Sequence, residues 1–307
     1  MKPLDPRRLR TVSARGRTSR VELQRFARPV ERTATLRAFY ASLPRIEQGE
    51  RLRRLAAATA QARARGRGVA WALGGHVIKV GCGPLLIDLM KRGAVTALVL
   101  NGAAAIHDFE IAFMGRTSED VAPGVEAGTF GMAEETGAFF AAAAERGREA
   151  GLGAGLQREL RRHRAPHRRH SVIAAADRHG VPVTVHVALG TDIVHMHPAC
   201  DGAAVGAASH RDFLLLAGLC AALHRGVFLN WGSAVVVPEV FVKAVTMQNN
   251  VRRRPLRITT ANFDQLRHYR PRKNVVERPA AVGYDFTGHH ELTMPLFRLA
   301  LLQEMGA

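Results

Sequence analysis

The chain has 307 residues, 47% of them hydrophobic and 23% charged. That apolar content excludes a disordered chain, and the length excludes a mini-protein in need of covalent staples. The formal charge is +18; it points to an anionic partner such as nucleic acid, or else to a solvated arginine-rich surface. Of the 44 basic residues only five are lysine, and the positive charge concentrates in residues 1–70 and 158–170. No aromatic residues interleave with the arginines as base stacking needs, so the solvated surface is preferred and nucleic acid is not expected. Three scattered cysteines, Cys82, Cys200 and Cys220, suggest reduced thiols and a cytoplasmic location. No apolar run approaches the roughly 20 residues that span a bilayer, and the basic start MKPLDPRRLR lacks the apolar stretch of a secretory signal.

In chain order, residues 1–67 read as an arginine-rich extension with helical patches. Leu36, Phe39, Tyr40 and Leu43 fall at helical spacing, as do Leu52, Leu55, Ala56 and Ala60. From Gly68 onward, short apolar runs alternate with helical patterns. Strands are predicted over 68–73, 95–102, 182–187, 226–229 and 256–259. Helices are predicted over 84–92, 106–114, 134–148, 152–163, 171–178, 211–223, 238–249 and 291–304. Strands of four to six apolar residues alternating with helices of about ten imply a parallel sheet covered on both faces. The expected architecture is therefore α/β, residues 68–307, preceded by a helical extension, residues 1–67.

In an open parallel sheet, ligands bind beyond the carboxyl ends of the strands. Four such ends carry small or polar residues: Gly74-Gly75-His76, Asn101-Gly102-Ala103-Ala104, Asn230-Trp231-Gly232-Ser233 and Thr259-Thr260-Ala261-Asn262. Glycine lets the backbone approach a phosphate, and a helix amino terminus supplies N–H donors, so a nucleotide-sized ligand is expected. Tight strand-to-helix packing accounts for the same glycines without a ligand. His186, His195, His197 and the pair His289-His290 raise a metal reading. No HExxH motif or spaced carboxylate completes a tetrahedral set, and no metal is expected. His107, at the start of the helix after the second strand, is placed to face a ligand.

The order of these segments resembles that of the deoxyhypusine synthases. The pieces that carry the likeness are VAWALGGHVIKVGCGPLLIDLMKRGAVTALVLNGAAAIHDFE, HGVPVTVHVALGTDIVHMH, GVFLNWGSAVVVPEVFVKAVTMQNNV, LRITTANFD and GHHELTMPLFRLALL. The resemblance implies a Rossmann-like parallel sheet, NAD as cofactor and a homotetramer with sites shared between subunits. It implies cofactor contacts at Gly75, His76, Asn101, Gly102, Asp108, Asp192, Gly232, Ser233, Thr260, Ala261 and Asp264. The family's imine-forming lysine segment is replaced here by residues 265–288, whose single lysine, Lys273, lies among arginines. The weak catalytic candidates left are Glu239, Lys243 and His195; Lys243 and Lys79 also read as lysines with solvated heads. The expected function is an NAD-dependent transferase acting on a small amine or polyamine. The alternative is a non-catalytic or regulatory NAD-binding oligomer.

Overall fold

The computed structural model describes residues 2–18 and 21–306. They form two compact units, divided between Arg51 and Leu52, where the sequence analysis set its boundary at 67. The first unit holds three short 3-10 turns and helix α1 (Leu36–Ser42). Thr35 caps α1 by accepting the Ala38 amide at 3.1 Å. Helix α2 (Glu47–Ala64) crosses the division and buries Leu52, Leu55, Ala56 and Ala60, the four positions whose spacing predicted it.

The second unit is built on β1 (Val69–Leu73), β2 (Ala97–Asn101), β3 (Val183–His186), β4 (Val227–Trp231), β5 (Ile258–Asp264) and β6 (Ala280–Thr287). Their order is β3-β2-β1-β4-β5-β6, and every pairing is parallel. This is a Rossmann-like α/β sheet. The crossing helices are α3 (Gly75–Lys79), α4 (Gly83–Lys91), α5 (Gly102–Met114), α6 (Val121–Ala127), α7 (Glu134–Gly147), α8 (Leu152–His163) and α9 (Val172–Arg178). α10 (Gly202–Leu219), α11 (Val236–Arg252), the turn α12 (Tyr269–Pro271) and α13 (His290–Met305) complete the set.

Side chains alternate across the sheet, and both faces are filled. On one face Trp71 stacks on Trp231 (ring centroids 5.7 Å apart), Trp231 on Phe263 (3.8 Å) and Phe263 on Phe286 (4.6 Å). Phe297 of α13 lies across this row. On the other face Phe228 stacks on Phe241 of α11 at 3.6 Å, within a cluster that includes Ala70, Ala72, Val99, Leu216 and Val237.

Three differences from the sequence reading have physical causes. β4 and β5 run on to Trp231 and Asp264, past the predicted ends at 229 and 259. Asn230 and Thr260–Asn262 read as polar loop, yet Asn230 is in register with Asn262, and Asn262 with Asp285. Their side chains bond in a row across the strands: Asn230 Nδ2 to Asn262 Oδ1 at 2.8 Å, Asn262 Nδ2 to Asp285 Oδ1 at 2.9 Å. The third difference is β6, which the sequence reading lacks. It is an edge strand, half exposed, with Gly283 and Asp285 interrupting its apolar pattern.

Buried carboxylates tie the helices to the sheet. Asp212 of α10 accepts the amides of Gly153 (2.9 Å) and Val185 (2.7 Å). Burial pushes its carboxyl from 3.8 up to about 7, with the Val185, Gly153 and Leu152 amides opposing the rise. A carboxyl raised on folding favours the fold below its unfolded value and loses that contribution as pH rises through its folded value. Asp212→Asn should therefore remove a decline in stability between about pH 4 and pH 7, on the order of 4 kcal/mol. Urea midpoints of both proteins across that range are the measurement; parallel curves would contradict it.

Candidate functional site

The carboxyl ends of β1 and β4 are the point where successive crossovers leave in opposite directions along the sheet, the place where such folds bind ligands. The two turns touch there. Gly74 N donates to Trp231 O at 2.8 Å, and a Cβ on Gly74 would lie 2.1 Å from Gly232 O. Gly232 has φ +68°, and a Cβ on it would lie 2.6 Å from His290 Nε2. Backbone packing thus requires glycine at 74, and the left-handed backbone with the His290 ring beside it requires glycine at 232.

Around this point the structure gathers Gly75, His76, Asn101, Gly102, Asp192, Gly232, Ser233 and Asp264, all at strand ends or in the turns that follow. Asn101 caps α5, its Oδ1 accepting the Ala104 amide at 2.9 Å. A Cβ on Gly102 would fall 1.9 Å from Asp192 Oδ2, so the Asp192 carboxylate rests on the first turn of α5. Burial raises that carboxyl to about 6. Ser233 Oγ accepts the Val237 amide at 3.3 Å, at the start of α11.

Other candidates point elsewhere. Asp108 faces α9, accepting from Ser171 Oγ (2.5 Å) and from the amides of Val172 (2.6 Å) and Ile173 (3.1 Å). Thr260 and Ala261 lie inside β5, with the Thr260 hydroxyl donating to Val275 O at 2.7 Å. Glu239 and Lys243 pair with each other on the outer side of α11, where Glu239 also meets Asn274 (2.8 Å) and Arg270 (3.2 Å). His195 braces its own loop, Nδ1 accepting the amides of Gly190 (3.2 Å) and Asp192 (3.3 Å). Lys273 pairs with Glu277 at 2.5 Å.

A cavity of about 200 Å³ opens beside these turns, lined by Lys79, His107, Glu110, Glu119, Phe130 and Asp192, among others. His107 and Glu110 are one helical turn apart on α5, and both reach Thr117. His107 Nδ1 lies 2.6 Å from Thr117 Oγ1, and the Thr117 hydroxyl donates to Glu110. Since the hydroxyl's one proton goes to Glu110, it accepts from His107 Nδ1–H, which leaves His107 Nε2 with a free lone pair. Burial raises the Glu110 carboxyl, but the neighbouring His107 ring and the Thr117 hydroxyl outweigh it and hold the group below its ordinary value. Sequence reasoning noted His107 and Lys79 but missed Glu110, whose i,i+3 spacing from His107 was the available signal.

At the ends of β4 and β5, several polar atoms are buried with no hydrogen-bond partner among the described residues: Asn230 Oδ1, Trp231 Nε1, Asp264 Oδ2 and both ring nitrogens of His290. Burial holds the His290 ring below its ordinary pKa. Among the described residues no group of three or more His, Cys, Asp or Glu could hold a metal ion. None of the described helices is long and apolar enough to cross a membrane.

No protein-family model and no curated protein matches the chain. Solved structures do match its fold. A putative LOR/SDH protein from Methanococcus maripaludis S2 aligns with TM-score 0.53 at 15% identity, over 85% of this chain and 70% of that one. AgrE, in a ternary complex with ornithine and NAD+, aligns at 0.52 and 16% identity, over 85% of this chain and 34% of that one. ArgZ, an arginine dihydrolase from the ornithine-ammonia cycle in cyanobacteria, aligns at 0.50 and 17%, over 84% and 33%. The chain thus spans about a third of the length of ArgZ and AgrE.

These neighbours overturn the resemblance to deoxyhypusine synthases and the amine-transferase function expected with it. The quoted motifs are strands closed by glycine turns, which any parallel sheet of this kind needs, and residues 265–288 form α12, a wide helical turn and β6.

The Gly232 contact is directly testable. Gly232→Ala should cost about 1–3 kcal/mol, from its left-handed backbone and the clash with His290. Combining it with His290→Ala should cost less than the sum of the two single changes, because the clash is then gone. Additive losses in chemical denaturation would show that the ring does not press on this turn. By its fold the chain is an α/β protein of the Rossmann-like class that AgrE, ArgZ and the LOR/SDH protein share.

Proposed function

We propose that the chain is an NAD-binding enzyme acting on a small amino acid that carries a cationic amine. The observation that carries this reading is the cavity of about 200 Å³ beside the β1–β4 crevice, with Asp192, Glu119 and Glu110 for a cation and Lys79 for a carboxylate. The ornithine and NAD+ held by AgrE support it, and so does the arginine chemistry of ArgZ.

The residues present fit a dinucleotide. Asp264 Oδ2, a carboxylate oxygen at a strand end without a hydrogen-bond partner, is the kind of acceptor a ribose hydroxyl takes. The first turn of α11 supplies amides for phosphate. Bound NAD supplies a hydride acceptor, which suits oxidation at a carbon bearing nitrogen. The chain's own groups do the rest. Asp192, once ionised, and Glu119 hold the substrate's ammonium, Lys79 pairs with its carboxylate, and His107 Nε2 takes the proton that the ammonium gives up. Glu110, through Thr117, fixes the tautomer of His107.

Calorimetry should show saturable NAD binding, and turnover should be sought with ornithine, lysine and arginine. His107→Ala should lower kcat by about 10²–10⁴-fold with little change in KM. Asp192→Asn should instead raise KM. In the wild type KM should fall as pH rises through about 6, where Asp192 ionises, and that limb should vanish in Asp192→Asn. No binding of NAD at millimolar concentration, or a KM limb unchanged in the variant, would defeat the proposal.

A further inference from the structure

The opposite edge of the sheet carries a second cavity, of about 220 Å³, where β1 and β2 begin. Its floor is apolar: Ala70, Ala97, Leu216, Leu219 and Leu223. The hydroxyl of Thr96, also in the lining, is already engaged by Val69, accepting its amide at 2.8 Å and donating to its carbonyl at 3.2 Å. The floor therefore offers no free side-chain hydrogen-bonding group, and it suits a hydrocarbon better than a base or sugar.

The mouth of this cavity has one sign of charge. Arg63 and Arg67 line it. Arg67 also acts on His224 together with Arg225, Arg252 and Arg254; burial first, and then these four charges, push the His224 ring below its ordinary pKa. Arg225 and Arg257 are held side by side, Arg225 N donating to Arg257 O at 2.7 Å and Arg257 N to His224 Nδ1 at 3.2 Å. The cavity's own segment 63–70 and the segments 222–227 and 250–258 around His224 contain eight arginines and no aspartate or glutamate.

Arginine is common throughout this chain, so abundance alone means little; what marks this patch is an apolar cavity that opens beside charges meeting no carboxylate among the described residues. Elsewhere Arg146, Arg148, Arg161 and Arg298 are matched with Glu159, Asp201, Asp177 and Asp88. Among the described residues, Arg67, Arg225, Arg252 and Arg254 form no such ion pair. The carboxyl end of α11 offsets only about half a unit of their charge.

We propose that this edge binds an amphipathic phosphate ester, its hydrocarbon in the apolar cavity and its phosphate against Arg67 and the neighbouring arginines. A cavity of 220 Å³ has room for roughly seven water-sized groups, which sets the tail at a medium chain. The site lies at the far edge of the sheet from the crevice proposed for NAD and does not rest on that reading.

The probe is n-octyl phosphate, below its micelle concentration, titrated into the full chain by calorimetry. Inorganic phosphate, n-octanol and phosphatidylserine vesicles are run beside it. Octyl phosphate should bind at least about tenfold more tightly than inorganic phosphate or octanol, and more weakly as salt rises. Arg67→Glu reverses a charge at the mouth, and Ala222→Trp fills the cavity from its exposed rim. Each should weaken octyl phosphate at least about tenfold, with melting temperature unchanged. Equal binding of octyl phosphate and inorganic phosphate would overturn the proposal, as would undiminished binding by both folded variants. Binding to vesicles without binding to octyl phosphate would also overturn it and make this edge a membrane-facing surface.

Discussion

The main-chain contact between Gly74 and Gly232 sets the geometry of everything around it. Two adjacent parallel strands must end level with each other, and their turns must pass within a distance that leaves no space for a Cβ. Because the strands are parallel, each turn must then lead into a helix that carries the chain back. The carboxyl ends of all six strands collect on one edge for the same reason. The stacked row Trp71, Trp231 and Phe263, crossed by Phe297, fixes one face of that edge. The asparagine row through Asn230 and Asn262 fixes the other. Side chains at the edge are therefore positioned by two rigid layers rather than by loops alone.

Buried carboxylates serve two different ends in this molecule. Asp108 and Asp212 accept backbone amides from distant segments and act as internal ties between helix and helix or helix and strand. Burial raises both, Asp108 to about 6, so these ties stand on hydrogen bonding that offsets the cost of a charge in a poor solvent. Asp192 is raised to about 6 as well, but it borders a cavity. The same physical shift is structural in the first two and available for ligand binding in the third.

Much of the sheet was legible because its strands are short apolar runs and its helices carry a 3.6-residue pattern. Leu152–His163 was predicted to the residue. What escaped was polar or exposed. Asn230 and Asn262 looked like strand terminators because a sequence cannot show that they are neighbours across β4 and β5. β6 escaped because an edge strand does not need a continuous apolar run. Of the residues that the fold brings to the β1–β4 crevice, the strand-end glycines, Asn101, Asp192 and Asp264 could be named in advance. The direction of Asp108 could not: one position along a helix turns a side chain by about 100°, enough to send it to α9 instead of the crevice. The roles of Glu110 and Thr117 depend on a loop folding back over α5, which no local pattern encodes.

The contact between Gly102 and Asp192 has a consequence for how this sequence can vary. A Cβ at 102 would occupy the place of the Asp192 carboxylate oxygen, 1.9 Å away. Any other residue at 102 must evict the acid, and an acid at 192 keeps its seat only over a glycine. The two positions, 90 residues apart in the chain, are thus coupled in one direction: a homologue without glycine at 102 should lack the acid at 192, whereas one that has lost the acid is free to keep the glycine.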